Sequence, residues 1–234
     1  MASVLAAVAV ALGAAVQTAT GFGFSLVSGP FLVAAYQAPT GVQINVLLSL
    51  LVNVALLARE HRGSDLRAAG LLLAPAVAVA VPLGYLLRNA DPGPATVAAG
   101  VICLVAVVAL ALGRELPGVT SRAGTVAIGA VSGGMNAAAG LSGPAVVIFA
   151  LHARWPAGMA RPTMQVVFLG INVVTLVSLG WPDQLPVAVL AGYGVGIAAG
   201  AALVGRLPEA VAHPATLLLA GVGSVLAIAR GFAS

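Results

Sequence analysis

Ten apolar blocks run the length of this chain, separated only by short clusters of charge, proline and glycine. They fall near residues 2–17, 22–36, 41–58, 67–87, 94–112, 123–138, 141–153, 162–180, 185–205 and 214–231. A helix crosses a bilayer with about 20 apolar residues, and most of the blocks approach that length. Water does not suit such a chain. Of its 234 residues 61% are hydrophobic and 7% are charged, where soluble domains carry about 25% charge. The same apolar content excludes disorder. A membrane β-barrel needs aromatic girdles and alternating strands. Here aromatics make up 5% of the chain and the apolar runs are continuous, which argues for helices. The fold class is an all-α polytopic membrane protein of about 8–10 transmembrane helices, best read as 10 segments of which two are short or broken. The lipid bilayer is its surroundings, and no length remains for a soluble domain.

The 10 basic residues are all arginine, the net charge is +4 and the isoelectric point is near 10.2. No run of them could track phosphates, so no nucleic acid is expected as a partner. Cys103 stands alone in an apolar run and reads as a small buried residue. The first 16 residues lack the positive start of a signal peptide and read as a retained first helix.

The two halves of the chain resemble each other. Ser28-Gly29-Pro30 recurs as Ser142-Gly143-Pro144, Pro39 and Gly41 as Pro156 and Gly158, and Pro94-Ala95-Thr96 as Pro214-Ala215-Thr216, in the same order, at offsets between 114 and 120 positions. The expectation is an internal duplication with transmembrane repeats at residues 1–117 and 118–234. With five crossings per repeat, Arg59, Arg62, Arg67, Arg114, Arg122, Arg154, Arg161 and Arg206 fall on one face, and Arg88 and Arg230 on the other. Merging the short blocks into kinked spans gives a split of six to four instead. The stronger asymmetry satisfies the positive-inside rule. An odd number of crossings inverts the second repeat, as in many secondary transporters, and puts both ends of the chain outside. Re-entrant hairpins in place of the short crossings keep the same parity.

Short, glycine-interrupted segments at matching places in two halves point to a transporter's binding site. The first reads Gln17-Thr18-Ala19-Thr20-Gly21-Phe22-Gly23-Phe24-Ser25 and continues to Ser28-Gly29-Pro30. The second reads Ser132-Gly133-Gly134-Met135-Asn136, then Gly140-Leu141-Ser142-Gly143-Pro144. Gly21, Gly23, Gly29, Gly140 and Gly143 let a backbone break and a ligand approach. Pro30 and Pro144 suit the first turn of a helix. A broken helix frees N–H groups whose dipole end attracts anions. Two such starts facing each other would make an anion site without a buried lysine. Gln17, Thr18, Ser25, Asn136 and Ser142 are the neutral donors expected there, joined by Gln165 in the eighth block. Arg161, on the arginine-rich face, is placed to collect anions from a vestibule. Close helix packing and interhelical hydrogen bonds account for the same residues without a ligand. Gln43, Asn45, Asn53 and Asn172 are further amides expected to face the interior, and Gly192, Gly196 and Gly200 form a packing face. No metal spacing and no nucleophile–base pair is present, so neither a cofactor nor an enzyme is expected. All six acids fall in connections, which leaves no intramembrane carboxylate for a proton relay.

The two glycine-rich segments, Gln17 to Phe24 with Gly29-Pro30, and Ser132 to Asn136 with Gly140 to Pro144, resemble the sulfite exporter TauE/SafE family, also called TSUP. The resemblance covers nearly the whole chain. It implies a bacterial inner-membrane carrier of sulfur-containing anions such as sulfite, thiosulfate, sulfoacetate and other organosulfonates. The expected function is secondary transport of such an anion by alternating access, and a homodimer is compatible with it. The alternatives are a carrier of another small anion such as a carboxylate, and a membrane-embedded interaction subunit that transports nothing.

Overall fold

The computed structural model describes residues 2–60, 62–113, 116–204 and 209–233, and among these it has ten helices and no strand. In chain order they are α1 (Ala2–Thr20), α2 (Phe24–Tyr36), α3 (Thr40–Glu60), α4 (Leu66–Leu87), α5 (Pro92–Leu112), α6 (Arg122–Ala139), α7 (Gly143–His152), α8 (Ala157–Leu179), α9 (Val187–Leu203) and α10 (Glu209–Phe232). Six are long and apolar enough to cross a membrane, namely α1, α3, α4, α5, α8 from Gly158 and α10 from His213. The 13 residues of α2 and the 10 of α7 reach only about 20 and 15 Å at about 1.5 Å per residue, short of a hydrocarbon core of about 30 Å.

Every block of the sequence corresponds to one helix, with three local differences. The eighth helix begins at Ala157, a turn before the proline expected to open it, so Arg161 and Pro162 lie inside it. The tenth begins at Glu209, which puts His213 and Pro214 on a helix instead of in a connection. A proline this near a helix start forfeits one backbone bond, a modest loss in a well-packed helix. The third difference is larger. Gly29 and Pro30 were expected to form a break, yet both lie inside α2, which has already begun at Phe24. Gly29 is small for another reason, since a Cβ there would come within 3.0 Å of Asn45 Nδ2. Pro144, by contrast, does stand in the first turn of α7. The tripeptide shared by the two halves therefore occupies different structural positions in each.

Small residues set the packing. α1 lies along α9, where a Cβ on Gly192, Gly196 or Gly200 would run into the carbonyls of Ala7, Ala11 and Ala15. α6 lies along α4 in the same manner, with Gly129 against the Leu72 carbonyl and Gly133 against that of Ala76. α5 packs on α10 and α3 on α8. Without a solvent-driven hydrophobic force between them, membrane helices gain from such close backbone approach. The interior this creates holds an unusual share of amides and hydroxyls, with Asn45, Asn53, Asn136 and Asn172 all fully buried.

Candidate functional site: two broken helices around one void

The first break follows from two glycines. Gly21 and Gly23 have φ of 93° and 109°, a region that side chains with a Cβ avoid, and together they turn the chain back on α1. The Gln17 carbonyl Oε1 accepts the Phe24 N–H at 3.0 Å. Gly13 has no side chain to keep the Phe24 backbone away, since a Cβ there would sit 2.8 Å from the Phe24 carbonyl. The start of α2 therefore lies beside the middle of α1. The second break is tighter. Gly140, at φ 70°, ends α6 and donates its N–H to the Asn136 carbonyl. The Ser132 hydroxyl then donates to the Ser142 carbonyl at 2.8 Å, which holds the start of α7 beside the middle of α6. Neither N-cap residue, Gly23 or Ser142, caps its helix with its own side chain, but the first N–H of α2 is taken by Gln17.

Both starts face one void of about 20 Å³, room for about one water molecule. Its polar lining is Gln17, Ser25 and Ser49 on one side and Ser142 on the other, with the backbone of Gly23 and Gly143 exposed between them. Phe22, Leu26, Leu141 and Phe168 supply the apolar walls. Among the described residues, no ionisable side chain lines it.

A frame of amides surrounds the void. Gln17 Nε2 donates to Asn53 Oδ1 at 2.6 Å, and Asn136 Nδ2 donates to Asn172 Oδ1 at 3.0 Å; each pair is 36 residues apart. Asn136 Nδ2 also donates to Thr175 Oγ1 at 3.0 Å. Asn172 Nδ2 donates to Ser49 Oγ at 3.2 Å, and Ser25 Oγ meets the same hydroxyl at 3.3 Å. Each break is also capped from across the molecule. Gln165 of α8 donates to the Gly21 carbonyl at 2.6 Å, and Asn45 of α3 donates to the Gly140 carbonyl at 3.1 Å. These amides satisfy carbonyls that a terminated helix leaves bare, and in hydrocarbon a bare carbonyl has no water to turn to.

The chain matches the model of the family described as "Sulfite exporter TauE/SafE" over residues 5–229. It belongs to that family. No curated protein and no solved structure matches it. The molecule is thus a multi-pass membrane protein of a transporter family, consistent with a role other than catalysis.

Of the residues singled out by sequence, this TauE/SafE protein brings Gln17, Ser25, Ser142, Gly23, Gly143 and Pro144 together on the void. Gly21 and Gly140 form the turns behind it. Asn136 and Gln165 do not line it: Asn136 reaches it through Asn172, which bonds Ser49, and Gln165 caps the Gly21 turn behind it. Thr18 lies elsewhere, on the α9 side of α1, where a Cβ on Gly200 would come 2.7 Å from Thr18 Cβ. Arg161 lies over Gly21 and pairs with Glu60, Nη2 to Oε1, at 3.2 Å. Ser49 and Phe168 line the void without having been singled out. Ser49 carried a legible signal, standing one helical turn before Asn53 on the same face of α3.

Proposed function

We propose that this TauE/SafE protein is a secondary carrier of a small sulfur-containing anion, such as sulfite, thiosulfate or sulfoacetate, across the bacterial inner membrane by alternating access. The observation that carries the reading is the convergence of the starts of α2 and α7 on one void lined by the neutral polar side chains Gln17, Ser25 and Ser142. A helix start directs bare N–H groups and roughly half a positive charge at whatever lies before it. Two of them hold an oxyanion with no fixed cation, which keeps the bound anion from being trapped.

The void of about 20 Å³ is smaller than any sulfur oxyanion, so α2 and α7 must part to admit one. Exchange of the two halves, 1–117 and 118–234, maps the α1–α9 packing onto α6–α4 and maps the α5–α10 and α3–α8 pairs onto themselves, which supports inverted repeats rocking about the site. The arginine distribution favours a topology with both ends of the chain in the periplasm.

The reading is tested with purified protein in a thermal-shift panel of sulfite, thiosulfate, sulfoacetate and matching carboxylates. Mass action predicts a rise in apparent stability with the transported anion, reduced in a Ser25→Ala/Ser142→Ala variant that still folds. A response to carboxylates alone, or one untouched by that variant, would sink the reading.

A further inference from the structure

We infer that Ser49 is the oriented hydrogen-bond donor of the site, a cargo-binding residue that Asn172 of the other half holds in place. The inference rests on the carrier reading above and deepens it by naming the group that meets an oxygen of the anion. Ser49 lies on α3, is 4% exposed and lines the void. Its hydroxyl oxygen accepts Asn172 Nδ2 at 3.2 Å and the Ser25 hydroxyl at 3.3 Å. A hydroxyl has two lone pairs and one hydrogen. Both lone pairs are then filled, and the hydrogen remains for the void. Reversing the Ser25–Ser49 bond leaves the count unchanged. Two hydroxyls own two hydrogens, one is spent between them, and no acceptor among the described residues takes the other. Both serines line the void, so the pair offers it a donor either way.

The orientation comes from behind. Asn172 turns Nδ2 to Ser49 because its Oδ1 accepts Asn136 Nδ2 at 3.0 Å. An amide donates from nitrogen alone, so donation runs from Asn136 through Asn172 to Ser49 and ends at the void, each bond strengthening the next. An oxyanion offers only acceptors there. The matching positions of the two halves do not repeat this device. Gln17 and Asn136, Asn53 and Asn172, and Ser49 and Phe168 each stand 119 positions apart. Phe168 also lines the void, in the place of a second serine. Asn53 is fully buried, and its Nδ2 has no partner among the described residues, whereas the Nδ2 of Asn172 has Ser49. The site therefore donates from α3 and is apolar on α8, which orients a bound anion with an oxygen at Ser49.

The test is calorimetric titration of the full chain in nanodiscs with sulfite, thiosulfate and sulfoacetate. For the anion that wild-type protein binds most tightly, Ser49→Ala is expected to lose about ten- to hundredfold in affinity, the range for a hydrogen bond to a charged group. Ser25→Ala is expected to lose less, because Ser49 keeps both its Asn172 bond and its hydrogen. Asn172 acts through Ser49, so the Asn172→Ala/Ser49→Ala double variant is expected to bind about as well as Ser49→Ala alone. Ser49→Cys keeps the size of the side chain with a weaker donor; it stands in if Ser49→Ala does not fold, and is expected to lose affinity in the same direction. Wild-type affinity in the Ser49 variant that folds, a loss in Ser25→Ala as large as in that variant, or additive losses in the double variant overturns the inference and leaves the carrier reading standing. Failure of wild-type protein to bind any of the three anions overturns the carrier reading and the inference with it.

Discussion

The two breaks solve one problem with different chemistry. At the first, Gln17 uses both ends of its amide, giving Nε2 to Asn53 and taking the Phe24 N–H on Oε1. At the second, Asn136 is one methylene shorter. It gives Nδ2 to Asn172 and Thr175, but its Oδ1 is buried without a partner among the described residues, and the start of α7 is held by the Ser132 hydroxyl instead. One amide thus fastens α2 both to α1 and to the wider frame, whereas the side-chain bond from α6 to the start of α7 is one hydroxyl's, and α7 has 10 residues against 13. The difference teaches which wall is built to move. Opening costs least where fewest buried groups lose partners, so α7 is expected to swing while α2 stays with α1.

The largest effect lies beneath both breaks, in the glycines that seat their helices. Gly196→Val would drive a side chain into the Ala11 carbonyl and Gly133→Val into that of Ala76. Neither backbone can yield without parting α1 from α9 or α6 from α4. Both variants should give no monodisperse protein on size exclusion. Survival of one and not the other would show that the two seats are unequal, and would move the comparison from the breaks to the helices that carry them.

Next in size is the amide pair itself. Gln17→Ala leaves both the Phe24 N–H and Asn53 Oδ1 unpaired in a buried site, at about 1–3 kcal/mol each. Asn136→Ala leaves Asn172 Oδ1 without its donor, while the Thr175 hydroxyl is free to rotate to another acceptor. Thermal denaturation in detergent should rank Gln17→Ala as clearly the more damaging. Equal losses would erase the distinction between a stiff and a loose break.

Much of this was open to reading in the sequence, for a physical reason. Lipid forces every spanning segment to satisfy its own backbone, so ten apolar blocks translate directly into ten helices. Gly21, Gly23 and Gly140 were legible as breaks because positive φ favours glycine. Pro30 is not legible in the same way, because proline suits the first turn of a helix and is also tolerated within one, and here Gly23 sets the start of α2. The cross-caps were out of reach. Gln165 and Gly21 are 144 residues apart, and Asn45 and Gly140 are 95 apart. Which amide meets which carbonyl is fixed by the packing of α8 and α3, not by any local pattern. Thr18 is adjacent to Gln17 in sequence, but a helix turns by about 100° per residue and points it at Gly200 of α9.

A smaller effect sharpens the difference in mobility. Ser132→Ala leaves one buried acceptor, the Ser142 carbonyl, without its donor, at about 1–3 kcal/mol, where Gln17→Ala strands two groups. Hydrogen exchange should accelerate along α7 and leave α2 as it was. Equal acceleration in both helices would mean that the two hairpins open as one unit.

The smallest expected effect concerns Arg161, the charged side chain lying over the first break. Its ion pair with Glu60 has side chains 29% and 35% exposed, so water screens it, and pairs of this kind contribute about 0–1 kcal/mol. Its stem matters in another way. A Cβ on Gly21 would meet Arg161 Cγ at 3.3 Å and Cδ at 3.5 Å, so the methylenes cover the turn that Gln165 caps. Arg161→Gln keeps much of that cover and should cost less than Arg161→Ala, although both remove the charge. A double-mutant cycle of Arg161→Gln with Glu60→Gln should return a coupling below about 1 kcal/mol. A coupling of several times that size would make the ion pair a true fastening of the first break. The stiffness of that break would then rest on charge as well as on Gln17, and would fall with rising salt, a dependence the hydroxyl-held second break does not share.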